Sequence, residues 1–213
     1  EPRPDVTKVW SFKKNLTEII DDLKQEQFDL IIDLHNNLRS KQVKSALKVK
    51  SYTLSKPRIN NLLLTQFGIN RLDGRHIVDR FLDVLSPLNL KPKHKQLSFY
   101  FPDNVVVLNL PKKYVAIAVG AAYFTKQIPL EKLVAVVDGL NCEVVLIGGK
   151  DDIENAKTIQ SKSSKKIINL VGDIDIPSSG KVIASSSVLI TGDTGMMHLS
   201  AALSKPVVAI FGS

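Results

Sequence analysis

From Lys112 onward the chain alternates two kinds of segment: runs of apolar, β-prone residues ending in small or polar turns, and stretches with apolar positions at helical spacing. The pattern predicts strands at 114–119, 143–147, 167–170, 188–191 and 207–211, with helices at 129–140, 151–161, 178–184 and 195–203 between them. The strand runs are apolar on both faces, which suits a parallel sheet covered by helices on either side, a doubly wound α/β domain. Ligands of such sheets sit beyond the carboxyl ends of the strands. The polar turns at 120–126, 148–152 and 192–198 all leave strand carboxyl ends, so the expected fold carries them to one rim.

The first hundred residues read differently. Helices are expected at 16–26, 39–47, 60–67 and 76–85, and strands only at 30–34 and 51–54. A free-standing sheet of two strands is marginal, so this part reads as an α/β domain short of strands. Pro87, Pro92 and Pro102, with several lysines, mark 88–102 as a linker. The expected division is therefore 1–102, an α/β segment plus linker that either takes strands from elsewhere or is the remainder of a larger domain, and 103–213, a doubly wound α/β domain.

An apolar content of 44% is ordinary for a soluble globular protein and sufficient for a core. The formal net charge of +8 changes the picture more, because it favours anionic company: phosphorylated small molecules, an acidic membrane surface or nucleic acid. Nucleic acid is not expected, since aromatics are only 6% and the lysines are scattered, which leaves no interleaved arginine and aromatic platform. Cys142 is the only cysteine, which excludes an internal disulfide or a cysteine metal site and fits a reducing cytosol. No apolar run approaches the ~18 residues of a membrane span, and the first residues have no signal-peptide core. The expectation is a soluble cytoplasmic protein, able to rest on the inner face of a membrane by charge alone.

The sharpest motif is Asp193-Thr194-Gly195-Met-Met-His198, where a buried strand runs through a small polar turn into a helix. The backbone amides of Thr194 to Met197 would be unpaired there and would form an anion site, with Gly195 allowing close approach of a pyrophosphate. A plain helix cap by Asp193 or Thr194, with His198 on the surface, fits the same residues. Gly120-Ala-Ala122-Tyr-Phe-Thr-Lys126, ahead of Pro129, offers small residues and one positive charge, yet matches no P-loop or dinucleotide fingerprint. After the next strand, Asp152 either accepts from ribose hydroxyls or stabilises the start of the following helix. Asp173-Ile-Asp175 spells an acidic pair that some metal-dependent enzymes use, though Asp175-Ile-Pro177 equally opens a helix. In the first half, Asp33-Leu-His35-Asn-Asn37-Leu-Arg39-Ser40 closes the best strand with polar residues suited either to a ligand or to turn and cap duties. The histidines His35, His76, His94 and His198 are too dispersed to suggest a metal site.

Together these segments resemble glycosyltransferase family 9, the ADP-heptose:lipopolysaccharide heptosyltransferases. The resemblance rests on the segment 28–40, on Val119-Gly-Ala-Ala122 with Lys126 and Pro129, on Leu146-Ile-Gly-Gly with Asp152, and on Asp193-Thr-Gly-Met-Met-His198-Leu-Ser-Ala-Ala-Leu ahead of Pro206-Val-Val-Ala-Ile-Phe-Gly212. It implies a GT-B arrangement of two Rossmann-like domains with parallel sheets, the amino-terminal one incomplete, in which 103–213 binds the donor and 1–102 faces the acceptor. It implies transfer of a heptose from an ADP-sugar to the lipopolysaccharide inner core, inverting and metal-independent. Lys126 and the amides of Thr194 and Gly195 would hold the donor diphosphate with Ala122 beside them, Asp152 would take the ribose, and Asp193 and His198 would line the sugar end. Asp33, Asn37 and Arg39 are the acceptor-side candidates. The implied partners are the nucleotide-sugar donor, a lipid-linked saccharide acceptor and an anionic membrane surface. No cofactor is expected, since the ADP-sugar is a substrate.

Some positions depart from the family pattern. Ile128 stands where an aromatic residue usually precedes the proline, Asp152 where glutamate is frequent, and His35 where glutamine is more usual. The glycine-rich loop bearing the general-base aspartate is not found, and the resemblance places it upstream of Glu1; likewise family members continue past Ser213. The sequence therefore reads as an internal piece of a longer enzyme, with weak or no transfer activity expected of it alone. Two other readings of the residues are an epimerase or similar nucleotide-sugar enzyme, and a nucleotide-binding module without catalysis.

Overall fold

The computed structural model describes residues 3, 5–92, 95–106, 109–121 and 123–212. Ala122 and His94 lie outside the described residues. The chain divides into two compact units, Val6–Lys95 and Gln96–Ser213, the latter joined by Glu1–Asp5.

The Val6–Lys95 unit runs α1 (Thr17–Gln25), β1 (Leu30–Asp33), α2 (Leu38–Leu47), β2 (Lys50–Thr53), α3 (Arg58–Phe67) and α4 (Ile77–Asp83), then a 3-10 turn at Ser86–Leu88. The Glu18 carboxylate accepts from the amides of Lys13, Lys14 and Asn15 and so fixes the start of α1. Asn37 caps α2: its side chain accepts from the Ser40 amide at 2.9 Å, and Ser40 Oγ accepts from the Asn37 amide at 3.0 Å. Strands β1 and β2 pair in parallel, Leu30 opposite Lys50 and Asp33 opposite Thr53, with α2 as the crossover. Leu54 and Val84 are the only buried apolar side chains among the described residues of this unit. Trp10 packs edge-on against Phe28, with ring centroids 5.7 Å apart.

The second unit holds β3 (Tyr114–Ala118), α5 (Leu130–Gly139), β4 (Glu143–Ile147), α6 (Ile153–Lys162), β5 (Ile167–Asn169), α7 (Ile176–Ser185), β6 (Val188–Gly192), α8 (Gly195–Ala202) and β7 (Val207–Ile210). All five strands are parallel, in the order β5-β4-β3-β6-β7. The sheet grows outward from β3 in both directions, so the order reverses between β3 and β6. Alternate residues serve two cores. Val115, Ile117, Val144 and Leu146 pack with Leu133, Val137 and Ile159 of α5 and α6. Tyr114, Ala116, Val145, Ile147 and Leu189 pack with Val182, Ile183 and Leu199 of α7 and α8. Burial on both faces is the reason the runs of β3, β4 and β6 show no polar alternation, whereas the edge strand β7 leaves Val208 and Ile210 exposed.

Local chemistry moves several boundaries from those expected. Helix α7 starts at Ile176, because the Asp175 side chain accepts from the Ser178 amide at 2.9 Å and Pro177 occupies the first turn, where no donor is needed. Pro129 caps α5 instead of opening it, and a 3-10 turn at Lys150–Asp152 precedes α6. The carboxyl-terminal part of the expected linker is a docked arm. Phe99 and Phe101 meet edge to face at 5.1 Å between centroids and lie over α7, where a Cβ on Gly180 would fall 3.1 Å from the Phe101 ring. The Lys181 ammonium sits 4.2 Å above that ring.

Candidate functional site

At the point where the strand order reverses, three strand tips line one cavity of about 250 Å³. Ala118, Gly120 and Ala121 come from β3 and its turn; Gly148, Gly149, Asp151 and Asp152 follow β4; Thr194, Gly195 and Met196 form the start of α8. Gly120 lets the first two tips close, since a Cβ there would lie 1.8 Å from Asp152 Oδ1. Asp152 Oδ2 accepts from the Gly149 amide at 2.9 Å, while Oδ1 has no partner among the described residues. The carboxylate thus performs one of the two duties the sequence left open and remains compatible with the other. One oxygen fixes the start of the following helix, and the other is available to a hydroxyl donor in the cavity.

At the third tip Thr194 caps α8, its Oγ1 accepting from the Met196 amide at 3.2 Å and bonding Thr191 Oγ1 at 2.9 Å. The Met197 amide donates to the Thr194 carbonyl at 3.1 Å. The expected stretch of free amides from Thr194 to Met197 is therefore corrected to the first two. Those of Thr194 and Gly195 have no partner among the described residues, so the cap leaves two free donors at the start of α8. A Cβ on Gly195 would meet nothing within 4 Å, leaving open space over these amides.

Lys126 and Asp193 do not line the cavity but meet each other, ammonium to Oδ2 at 2.7 Å, with 40% and 30% of their side chains exposed. Lys126 rides on a 3-10 turn, Phe124–Lys126, that the residue pattern does not predict. His198 is exposed on α8 and does not belong to the cavity lining. Asp175 is engaged as the cap of α7, and no cluster of three potential metal ligands occurs among the described residues. Met196 joins the site without any sign in the sequence. Within an apolar helical run, nothing in its residue type separates it from a core position.

In the Val6–Lys95 unit the polar cluster after β1 is tied up internally. Asp33, 4% exposed, accepts from the amides of His35 at 3.0 Å and Asn36 at 2.7 Å and pairs with the Lys44 ammonium at 2.8 Å. Burial works to raise its pKa, but Lys44, these amides and the Ser40 hydroxyl together hold the carboxyl well below the usual range. Asn37 is the α2 cap, and the Arg39 guanidinium stands 5.7 Å from the Phe12 ring centroid. None of the three acceptor-side candidates lines either of two cavities formed by described residues of this unit. The larger, about 530 Å³, is bounded by apolar side chains with His35, Lys56 and Arg80 at the carboxyl ends of β1 and β2 and on α4. The smaller, about 350 Å³, holds Arg75 and Arg80 with their partners Asp73 and Asp83.

The family model described as Glycosyltransferase family 9 (heptosyltransferase) matches residues 16–213. Lipopolysaccharide heptosyltransferase 3 of Escherichia coli K12 is 26% identical over 94% of this chain and 63% of its own length. Lipooligosaccharide heptosyltransferase 2 of Haemophilus influenzae is 23% identical over 88% of this chain and 61% of its own. The chain thus spans less than two thirds of these relatives. The crystal structure of a glycosyl transferase family 9 protein from Veillonella parvula superimposes with a TM-score of 0.71 at 21% identity, covering 94% of this chain and 63% of that one. E. coli heptosyltransferase WaaC, solved with ADP, gives 0.62 at 17% identity over 93% and 66%. The match across nearly all of the sequence, with the same fold in solved members, makes this chain a member of glycosyltransferase family 9.

Proposed function

We propose that the chain is the greater part of a heptosyltransferase that moves a heptose from an ADP-sugar to a lipopolysaccharide inner-core acceptor, with inversion and without a metal. The supporting observation is the meeting of three strand tips in one cavity at the switch point of the sheet. Asp152 Oδ1 would accept from a ribose hydroxyl, and the Thr194 and Gly195 amides would donate to the diphosphate. The acceptor hydroxyl oxygen attacks the anomeric carbon, giving up its proton to a base, as the bond from that carbon to the phosphate oxygen breaks and the electron pair leaves on the diphosphate. Positive ends placed where that charge develops, α8 and Lys126, lower the barrier without reorganising. Acceptor activation is assigned to no residue of this chain.

An anionic acceptor would find Lys56 and Arg80 at the larger cavity of the Val6–Lys95 unit. No helix among the described residues is long and apolar enough to cross a membrane, and the net charge of +8 suits peripheral contact with anionic lipid on the cytoplasmic side. Isothermal titration with ADP tests the donor half. Saturable one-to-one binding, unchanged by chelation of divalent cations, is the expected result. Loss of binding on chelation would remove the metal-independent mechanism, and no binding at all would remove the donor site.

A further inference from the structure

The glycine emphasised by the motif, Gly195, has open space where its Cβ would be; the sterically demanding glycines lie elsewhere. A Cβ on Gly192, the last residue of β6, would fall 2.3 Å from the Lys126 carbonyl oxygen, and one on Gly212, after β7, would fall 2.1 Å from that of Thr125. Both obstacles are backbone, which cannot swing aside as a side-chain tip can. Gly192 is buried and lies opposite Ile210 in the β6–β7 ladder, so the strand side of the contact is fixed as well. The 3-10 turn Phe124–Lys126 therefore sits on two neighbouring strand tips that lack Cβ atoms. It is closed by the Lys126 amide donating to the Tyr123 carbonyl at 2.9 Å and the Gln127 side chain donating to Ala121 O at 3.1 Å. From that seat the Lys126 ammonium reaches the β6 tip and stands 2.7 Å from Asp193.

Resting on the donor-site reading above, we infer that Gly192 and Gly212 are positioning residues for Lys126: their missing side chains set the height of the turn and so deliver the ammonium to the diphosphate beside α8. An added methyl at either position must lift the turn, and a charge-assisted contact to phosphate is lost with a displacement of an ångström or so.

The test is a double-mutant cycle on ADP affinity, read by isothermal titration, with the thermal midpoint of each variant recorded. Gly192→Ala and Lys126→Ala should each weaken ADP binding by about tenfold. The double variant should be no weaker than either alone, because both remove one contact. Gly139→Ala, at an open position in α5, is the control with unchanged affinity. If Gly192→Ala does not fold, Gly212→Ala carries the same cycle. A glycine variant that costs as much affinity in the Lys126→Ala background as in the unaltered chain would overturn the positioning role. An unaltered chain that ignores ADP would instead overturn the donor-site reading on which it rests.

Discussion

The polar residues that follow β1 and those that follow β6 look alike in sequence, yet the two sets differ in what is left over for a ligand. After β1, the buried Asp33 has two amides and Lys44 as partners, Lys44 also donates to Thr53 Oγ1 at 2.7 Å, and the Asn36 side chain donates to Leu54 O at 2.8 Å. After β6, Asp193 has Lys126 alone among the described residues, and two helix amides there have no partner. The difference follows from what lies beneath. A two-stranded sheet with little apolar burial needs its polar network to hold strand to helix, whereas β6 is fixed between β3 and β7 over two apolar cores. Polarity at a strand end becomes available for binding where the core has already done the folding.

The contrast fails first if apolar packing is not what chiefly holds the second unit together. Ile117, fully buried in β3, tests this: Ile117→Ala should cost about 4 kcal/mol of stability, from lost burial and the cavity left behind. Urea denaturation followed by far-UV circular dichroism reads it, and a loss below about 1 kcal/mol would mean that the sheet is not close-packed.

The smaller unit should respond instead to its charges. Asp33→Asn leaves Lys44, whose side chain is 19% exposed, without its counter-charge and should cost about 3 kcal/mol. Trp10 is the only tryptophan and lies in this unit, so its fluorescence reports the transition separately. The Asp33 pKa is depressed on folding. Its contribution is therefore full above the unfolded carboxylate value of about 3.9 and is lost as the pH falls below that toward the folded value. The Asn variant should lack this acid-labile component, and an unchanged acid profile would refute the structural role of the Asp33–Lys44 pair.

The same contrast explains what the sequence disclosed. The strands of the second unit are legible to within a residue or two, because continuous apolar runs mark them, written by double-sided burial in β3, β4 and β6. The rim that gathers Asp152, Thr194 and Gly195 follows from the rule for parallel sheets. What lies hidden depends on contacts between distant segments. Phe99 and Phe101, among prolines and lysines, give no sign of docking on α7. Asp33 and Asn37 cannot be told from ligand-binding residues until Lys44 and Ser40 are placed beside them. The Phe124–Lys126 turn is set by glycines at the ends of β6 and β7, far along the chain.

The finest test concerns the ion pair at the β6 tip. Lys126 and Asp193 are both partly exposed, so Lys126→Ala should change stability by no more than about 0.5 kcal/mol. It should nevertheless weaken ADP binding about tenfold, since a phosphate contact is lost. Asp193→Asn should act in the opposite sense. Removing the carboxylate frees the ammonium and takes a negative charge away from the diphosphate, so ADP should bind about threefold more tightly, the worth of an exposed pair. Transfer should fall in the same variant if Asp193 also holds the sugar. A variant that binds ADP less tightly than the unaltered chain would show that Asp193 supports the nucleotide itself, and the tip of β6 would then resemble the end of β1 more than the geometry indicates.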